Sequence, residues 1–105
     1  MGFEKNFIKL ATSVRENERY KLYYAEADKI KIGMTVLKPN QETRGHFHTG
    51  VDEVYFFTEG KGLMELDEKT IEVSEGSVVL IPGGVFHRVK NTEAKPLGFV
   101  VAFNK

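Results

Sequence analysis

The sequence predicts a mainly β protein that forms one domain, as a sandwich or a closed barrel. From Tyr20 onward, short runs with apolar and polar residues in alternation are separated by Gly, Asn, Asp and Pro, the pattern of successive strands and turns. Many short strands at near-regular spacing favour two packed sheets or a barrel, and a barrel has no open sheet edges. The 105 residues are enough for one hydrophobic core.

Two turns and an N-terminal extension frame the predicted strands. Asp67-Glu68 and Glu59-Gly60-Lys61-Gly62 each have the composition of a hairpin turn. In the extension, residues 1–19, Ser13 followed by Glu16 resembles a capping box and predicts one helical turn, with a strand as the alternative. The eight predicted strands cover residues 20–25, 30–37, 53–58, 62–66, 70–73, 78–81, 87–90 and 97–103.

Charge and composition exclude several classes of partner. The chain has 15 basic and 15 acidic residues, so no net field draws it to nucleic acid or to an anionic membrane. The longest aliphatic run, at 78–81, is far shorter than the roughly 20 residues that span a bilayer, and the first five residues lack the apolar stretch of a signal peptide. We therefore expect a cytoplasmic protein. Because cysteine is absent, any metal must be bound by imidazole and carboxylate.

The histidines are concentrated in two short segments that suggest a metal site. His46 and His48 are two residues apart, so on an extended backbone both side chains project from one face. Glu53 follows five residues later and can supply a third ligand, and His87 comes from a different strand as the fourth. Three imidazoles and one carboxylate suit Fe(II), Mn(II), Ni(II), Co(II), Cu(II) or Zn(II) and leave coordination positions open. The sequence predicts one divalent transition metal.

Two spaced motifs resemble those of the cupin superfamily. The family patterns are Gly-x5-His-x-His-x3-4-Glu-x6-Gly and Gly-x5-Pro-x-Gly-x2-His-x3-Asn. The first corresponds to residues 40–60, with Asn40 at the opening glycine position, and the second, at 76–91, is complete. Nine of the ten defined positions match, as His46-x-His48-x4-Glu53-x6-Gly60 and as Gly76-x5-Pro82-x-Gly84-x2-His87-x3-Asn91.

The resemblance implies a double-stranded β-helix, the cupin or jelly-roll barrel, over residues 1–105 as a single domain. It also implies that His46, His48, Glu53 and His87 bind the metal. The glycines, Pro82 and Asn91 of the two motifs would then shape turns and would not be ligands.

Strand alternation adds three candidate substrate residues. Arg44 falls on the side of His46 and His48, where it could bind a phosphate or a carboxylate; the alternative is a solvated charge at the barrel rim. Tyr55 and Phe57 fall on the side of Glu53, and Tyr55 could donate a proton or a hydrogen bond. For both aromatic residues the alternative is a place in the core.

Three functions are compatible with this site, because the family includes many reactions. The first is a metal-dependent isomerase or epimerase of a small polar substrate, in which Glu53 or Tyr55 moves a proton. The sequence also resembles cupin-type phosphoglucose isomerases at 43–48, 53–55 and 60–62, although those isomerases are longer chains, and this favours a sugar or sugar phosphate. The second function is an Fe(II)-dependent dioxygenase. The third is a non-catalytic cupin that binds a small ligand.

The sequence also predicts self-association. Val54 and Phe56 alternate with Tyr55 and Phe57, so they face away from the predicted pocket. The segment 99–103 is apolar on both faces, and strands of this kind need cover on both sides. N-terminal strands of the same chain could supply that cover. Cupins commonly pair through this face, and we expect a homodimer.

Overall fold

The computed structural model describes residues 6–105, which form one four-residue helix and nine strands. The first five residues of the predicted extension lie outside the described range. The helix in this range is too short to cross a membrane. The elements are α1 Phe7–Leu10, β1 Ser13–Glu16, β2 Tyr20–Glu26, β3 Ile30–Leu37, β4 Glu53–Glu59, β5 Lys61–Leu66, β6 Lys69–Ser74, β7 Val78–Ile81, β8 His87–Lys90 and β9 Leu97–Asn104.

The strands form two antiparallel sheets, and the predicted double-stranded β-helix is confirmed. The larger sheet has the order β1-β2-β3-β9-β4-β7 and the smaller one the order β6-β5-β8. All eight predicted strands are present, each within one residue of its predicted ends. The alternation that predicted them is visible as burial, since β4 and β7 bury every second residue.

The two sheets bury one hydrophobic core between them. The larger sheet contributes Phe57, Phe99 and Leu37, and the smaller sheet contributes Met64 and Val89. Burial of each such side chain is worth about 1.5–3 kcal/mol relative to exposure.

The N-terminal region differs from the prediction. Residues Ser13–Glu16 form the edge strand β1, paired with β2, so the predicted helical turn at this position is wrong and the alternative, a strand, is correct. The helical turn lies earlier, at Phe7–Leu10, where the Asn6 side chain accepts hydrogen bonds from the backbone amides of Ile8 and Lys9. All four residues of β1 are exposed. Pairing with β2 therefore determines this strand, because it has no apolar face of its own.

The turns explain several of the motif residues. Asp67 has φ 52° in the β5–β6 hairpin, as predicted. Gly60 lies in a turn, but the hairpin predicted there is wrong, because this turn leads from β4 in one sheet to β5 in the other. A Cβ atom there would lie 2.5 Å from the Pro96 carbonyl oxygen. Asn40 has φ 59°, the left-handed conformation that the glycine of the family motif would adopt without strain.

Candidate metal centre

Backbone pairing brings the two histidine segments together. The chain after β3 runs beside β8, where the His46 amide donates to the His87 carbonyl and the His87 amide donates to the His46 carbonyl. Glu53, the first residue of β4, faces them from the other sheet and is 6% exposed. The fold therefore places an imidazole pair on one sheet opposite a buried carboxylate on the other.

The three side chains have the separations of ligands around one ion. His46 Nε2 lies 3.1 Å from His87 Nε2. Glu53 Oε2 lies 2.7 Å from His87 Nε2 and 4.0 Å from His46 Nε2. A point equidistant from these three atoms lies about 2.0 Å from each, and metal bonds to nitrogen and oxygen ligands are about 2.0–2.2 Å long. The triad fits a divalent transition metal.

A hydrogen bond determines which ring nitrogen of His87 can bind a metal. His87 Nδ1 is 2.9 Å from the Val85 carbonyl oxygen, and since a carbonyl only accepts, Nδ1 carries the hydrogen. In the neutral ring, Nε2 then presents its lone pair toward Glu53. Glu53 Oε2 is buried and has no hydrogen-bond partner among the described residues. A lone pair and a carboxylate oxygen 2.7 Å apart need a positive charge between them, either a proton or a metal ion.

The same contacts change the acidity of the three groups. Burial alone would raise the pKa of Glu53, but the adjacent imidazoles of His87 and His46 lower it. Burial alone would lower the pKa of His87, but the Glu53 carboxylate and the Val85 carbonyl raise it. Burial, followed by the charge of His87, lowers the pKa of His46. Glu53 is therefore ionised and His46 neutral near pH 7, the forms that bind metal.

His48 lies beside the triad without being part of it. Its ring centre is 4.7 Å from that of His46, and it lines the same cavity. The group of closely spaced ligand atoms contains His46, Glu53 and His87. The role of His48 as a fourth ligand stays a prediction.

A cavity of about 560 Å³ is lined by His46 and Glu53 of the triad and by two of the three predicted substrate residues. Arg44 lines it, is exposed, and makes no hydrogen bond or ion pair within residues 6–105. Tyr55 lines it too and is 6% exposed. Phe57 has no exposed surface and belongs to the core, where its ring is 5.2 Å from that of Phe99. The structure thus places Phe57 outside the cavity wall.

Tyr55 contacts both the triad and Phe99, another aromatic residue that lines the cavity. Its ring stands edge-on to His87 at 5.7 Å and stacks on Phe99 at 5.5 Å. Burial and, secondarily, the charge of Glu53 raise the pKa of the Tyr55 hydroxyl well above its ordinary value. Tyr55 therefore keeps its hydroxyl hydrogen at neutral pH and can donate it in a hydrogen bond.

The residues of β2 that line the cavity were not predicted from the sequence. Tyr20, Leu22 and Tyr24 alternate along that strand and line the cavity together. Tyr24, Gly33, Val101 and Tyr55 form one row across four strands. A Cβ atom on Gly33 would lie 3.3 Å from the Tyr24 ring, so the ring lies across β3 at the glycine. The period-two pattern was a signal for this face, but the pattern alone does not show which face meets the cavity.

Residues 33–103 match the family described as Cupin domain, and the chain belongs to that family. Fold and triad agree with this assignment. Among curated relatives, the glucose-6-phosphate isomerases of Thermococcus litoralis and Pyrococcus furiosus are each 33% identical over 101 residues. Each alignment covers 80% of this chain and 53% of the relative. The chain thus spans about half the length of these relatives.

Solved structures show the same fold. TT1209 from Thermus thermophilus superposes with a TM-score of 0.82 at 26% identity, covering 96% of this chain and 95% of that one. Oxalate decarboxylase from Bacillus subtilis, which has Mn(II) centres, superposes with a TM-score of 0.84 at 22% identity, covering 94% of this chain and 29% of that one. At that identity the similarity supports the fold alone.

Proposed function

We propose that this protein is a metal-dependent isomerase or epimerase of a small polar substrate, such as a sugar or a sugar phosphate. The observation that carries the proposal is the triad of His46, Glu53 and His87 at a cavity large enough for such a molecule. The relatives that are glucose-6-phosphate isomerases support the same reaction class. Because the chain spans about half of those relatives, activity on their substrate is part of the proposal.

A divalent ion held by His46, Glu53 and His87, with His48 as a fourth ligand, would polarise a carbonyl or an enediolate of the substrate. Isomerisation also requires a proton to move between neighbouring carbons. Tyr55 remains protonated, so it serves as a donor at a substrate oxygen. Glu53 would supply the carboxylate base, and binding an ion would lower its basicity.

Arg44 supplies the proposed contact with an anionic group. Arg44 lines the cavity, and its guanidinium has no carboxylate partner within residues 6–105. A free guanidinium presents paired N–H donors that match a phosphate or carboxylate. We assign Arg44 to the charged end of the substrate.

The first test is metal content together with turnover. Purified protein is analysed for metal beside His87→Ala and His48→Ala variants, and each is assayed for sugar-phosphate isomerisation and oxygen uptake. We expect about one equivalent of metal that is lost in His87→Ala, with isomerisation and without oxygen uptake. Loss in His48→Ala as well would support the fourth ligand. Oxygen uptake instead of isomerisation would favour the Fe(II) dioxygenase, and tight sugar-phosphate binding without turnover would favour the non-catalytic cupin.

The outer face of the larger sheet supports the proposal of a homodimer. Val54 pairs with Leu80 and Phe56 with Val78 across β4 and β7, and these four side chains are 37–71% exposed. An apolar patch of this kind marks interaction sites more often than free surface. We expect light scattering to give a dimer that Leu80→Lys dissociates, whereas Glu72→Lys, at an exposed position of β6 in the smaller sheet, leaves it intact. A monomeric wild-type protein would contradict the proposal.

A further inference from the structure

The segment between two of the predicted ligands, residues 48–52, is held by polar contacts at both ends. We call it the ligand loop. At one end, the Gly84 amide donates to the His48 carbonyl at 2.8 Å. At the other, the Gly83 amide donates to Asp52 Oδ1 at 3.0 Å, and the Asp52 amide donates to Asn104 Oδ1 at 3.0 Å. The loop is therefore fixed to the turn before His87 and to the end of β9.

The turn and the loop also touch directly. A Cβ atom on Gly83 would lie 2.9 Å from the Gly50 nitrogen and 3.1 Å from the Val51 nitrogen. Real Cβ atoms rarely approach backbone this closely, so the contact requires glycine. The two motifs therefore meet at this point as well as at the triad.

Asn104 connects the loop to the larger sheet. It is the last residue of β9, next to Phe103, which pairs with Glu53. Its Oδ1 accepts from the Asp52 amide, and its Nδ2 donates to the Gly50 carbonyl at 3.5 Å. The residue immediately after Asp52 is Glu53, so Asn104 fixes the backbone from which the carboxylate ligand projects.

We infer that Asp52 and Asn104 are positioning residues of the metal centre, which hold the ligand loop so that Glu53 and the histidines meet in one geometry. This inference rests on the proposed metal centre. A ligand set that is already ordered loses less conformational freedom when the ion binds. Groups that orient metal ligands typically change metal affinity by about 10–100-fold. Since the contacts of Asp52 are exposed to solvent, we expect the lower end of that range.

Asp52 also carries a negative charge, which could attract a cation without positioning anything. The conservative substitution separates the two effects. Asp52→Asn keeps the Oδ1 acceptor for the Gly83 amide and removes the charge, whereas Asp52→Ala removes both. Asp28→Ala is a matched control, because Asp28 is exposed in the β2–β3 turn and its substitution removes the same charge.

The experiment measures Co(II) and Zn(II) dissociation constants of the full chain by calorimetry, with thermal unfolding of each metal-free variant alongside. We expect affinity about tenfold weaker in Asp52→Ala and in Asn104→Ala, close to wild type in Asp52→Asn, and unchanged in Asp28→Ala. The inference predicts that the metal-free forms of Asp52→Asn and Asp28→Ala unfold as wild type does.

The outcomes separate the inference from the proposed function. If wild type binds neither metal, the metal centre fails and the inference fails with it. If wild type binds but Asp52→Ala and Asn104→Ala bind equally well, only the inference is overturned. Equal weakening in Asp52→Asn and Asp52→Ala would also overturn it, since charge would then be the cause. A lower unfolding temperature with unchanged affinity would show that the contacts only stabilise the fold.

Discussion

Substitution of Phe57 tests whether this residue stabilises the core or contacts the substrate. Phe57→Leu keeps an apolar side chain but removes two ring contacts, with Phe99 at 5.2 Å and with Tyr55 at 6.3 Å. Each aromatic pair is worth about 0.5–1.5 kcal/mol, and an apolar swap of this size costs up to about 1.5 kcal/mol more. The expected loss is about 1–4.5 kcal/mol, from a total of about 5–15 kcal/mol for a domain.

The assay is thermal unfolding of the metal-free protein, followed by metal titration of the folded variant. For a chain of this length, about 1 kcal/mol corresponds to roughly 4 °C, so we expect the midpoint to fall by about 4–18 °C. Metal affinity should change little, because Phe57 lies outside the cavity wall. Tyr55→Phe is the matched control, which should retain stability and lose turnover. Weakened sugar-phosphate binding in Phe57→Leu at wild-type stability would refute the assignment of Phe57 to the core.

Three further predictions follow from the site and its turns. Metal affinity should fall at least tenfold between pH 7.5 and pH 5.5 in equilibrium dialysis, because protons compete for the imidazoles and His87 has a raised pKa; a flat profile would exclude histidine ligands. The stability of the metal-free protein depends on pH in the opposite direction. The contribution of His87 to that stability is present below pH 6.5 and is lost as the pH rises through the raised pKa of His87. Gly45→Ala should lower both stability and metal content, because φ is 81° and the new Cβ would lie 2.6 Å from the Phe86 ring; normal metal content would contradict this. Asn40→Ala should lower the free energy of unfolding, measured by denaturant titration, by about 1 kcal/mol, whereas Asn40→Gly should not. Equal stability of the two variants would show that the left-handed conformation carries no cost.

The sequence was sufficient to predict most of the strands because each buries one face. In β4, Tyr55 and Phe57 are buried while Val54 and Phe56 are exposed, and this alternation is visible without a structure. β1 could not be predicted with the same security, because all of its residues are exposed and it depends on pairing with β2. Gly60 marked a turn correctly, but whether a turn closes a hairpin depends on where distant strands pair.

The candidate site shows the same division between local and distant information. The spacing of His46 and His48 and the motif around His87 indicated metal chemistry, and the structure brings His46, His87 and Glu53 together. The contacts of Asp52 and Asn104 were not predictable, since 52 residues separate the partners and neither belongs to a motif. Local spacing identifies ligands, while the groups that orient them depend on the complete fold.

The tyrosines that line the cavity allow metal binding to be followed by intrinsic fluorescence. The chain has no tryptophan, and three of its four tyrosines, Tyr20, Tyr24 and Tyr55, line the cavity. Ultraviolet emission from the native protein therefore originates mainly from the walls of the cavity that holds the candidate metal centre. A paramagnetic or light-absorbing ion that enters should quench this emission, so binding can be followed without a label. Tyr23, on the opposite face of β2, is the internal reference, and Tyr23→Phe would remove its contribution.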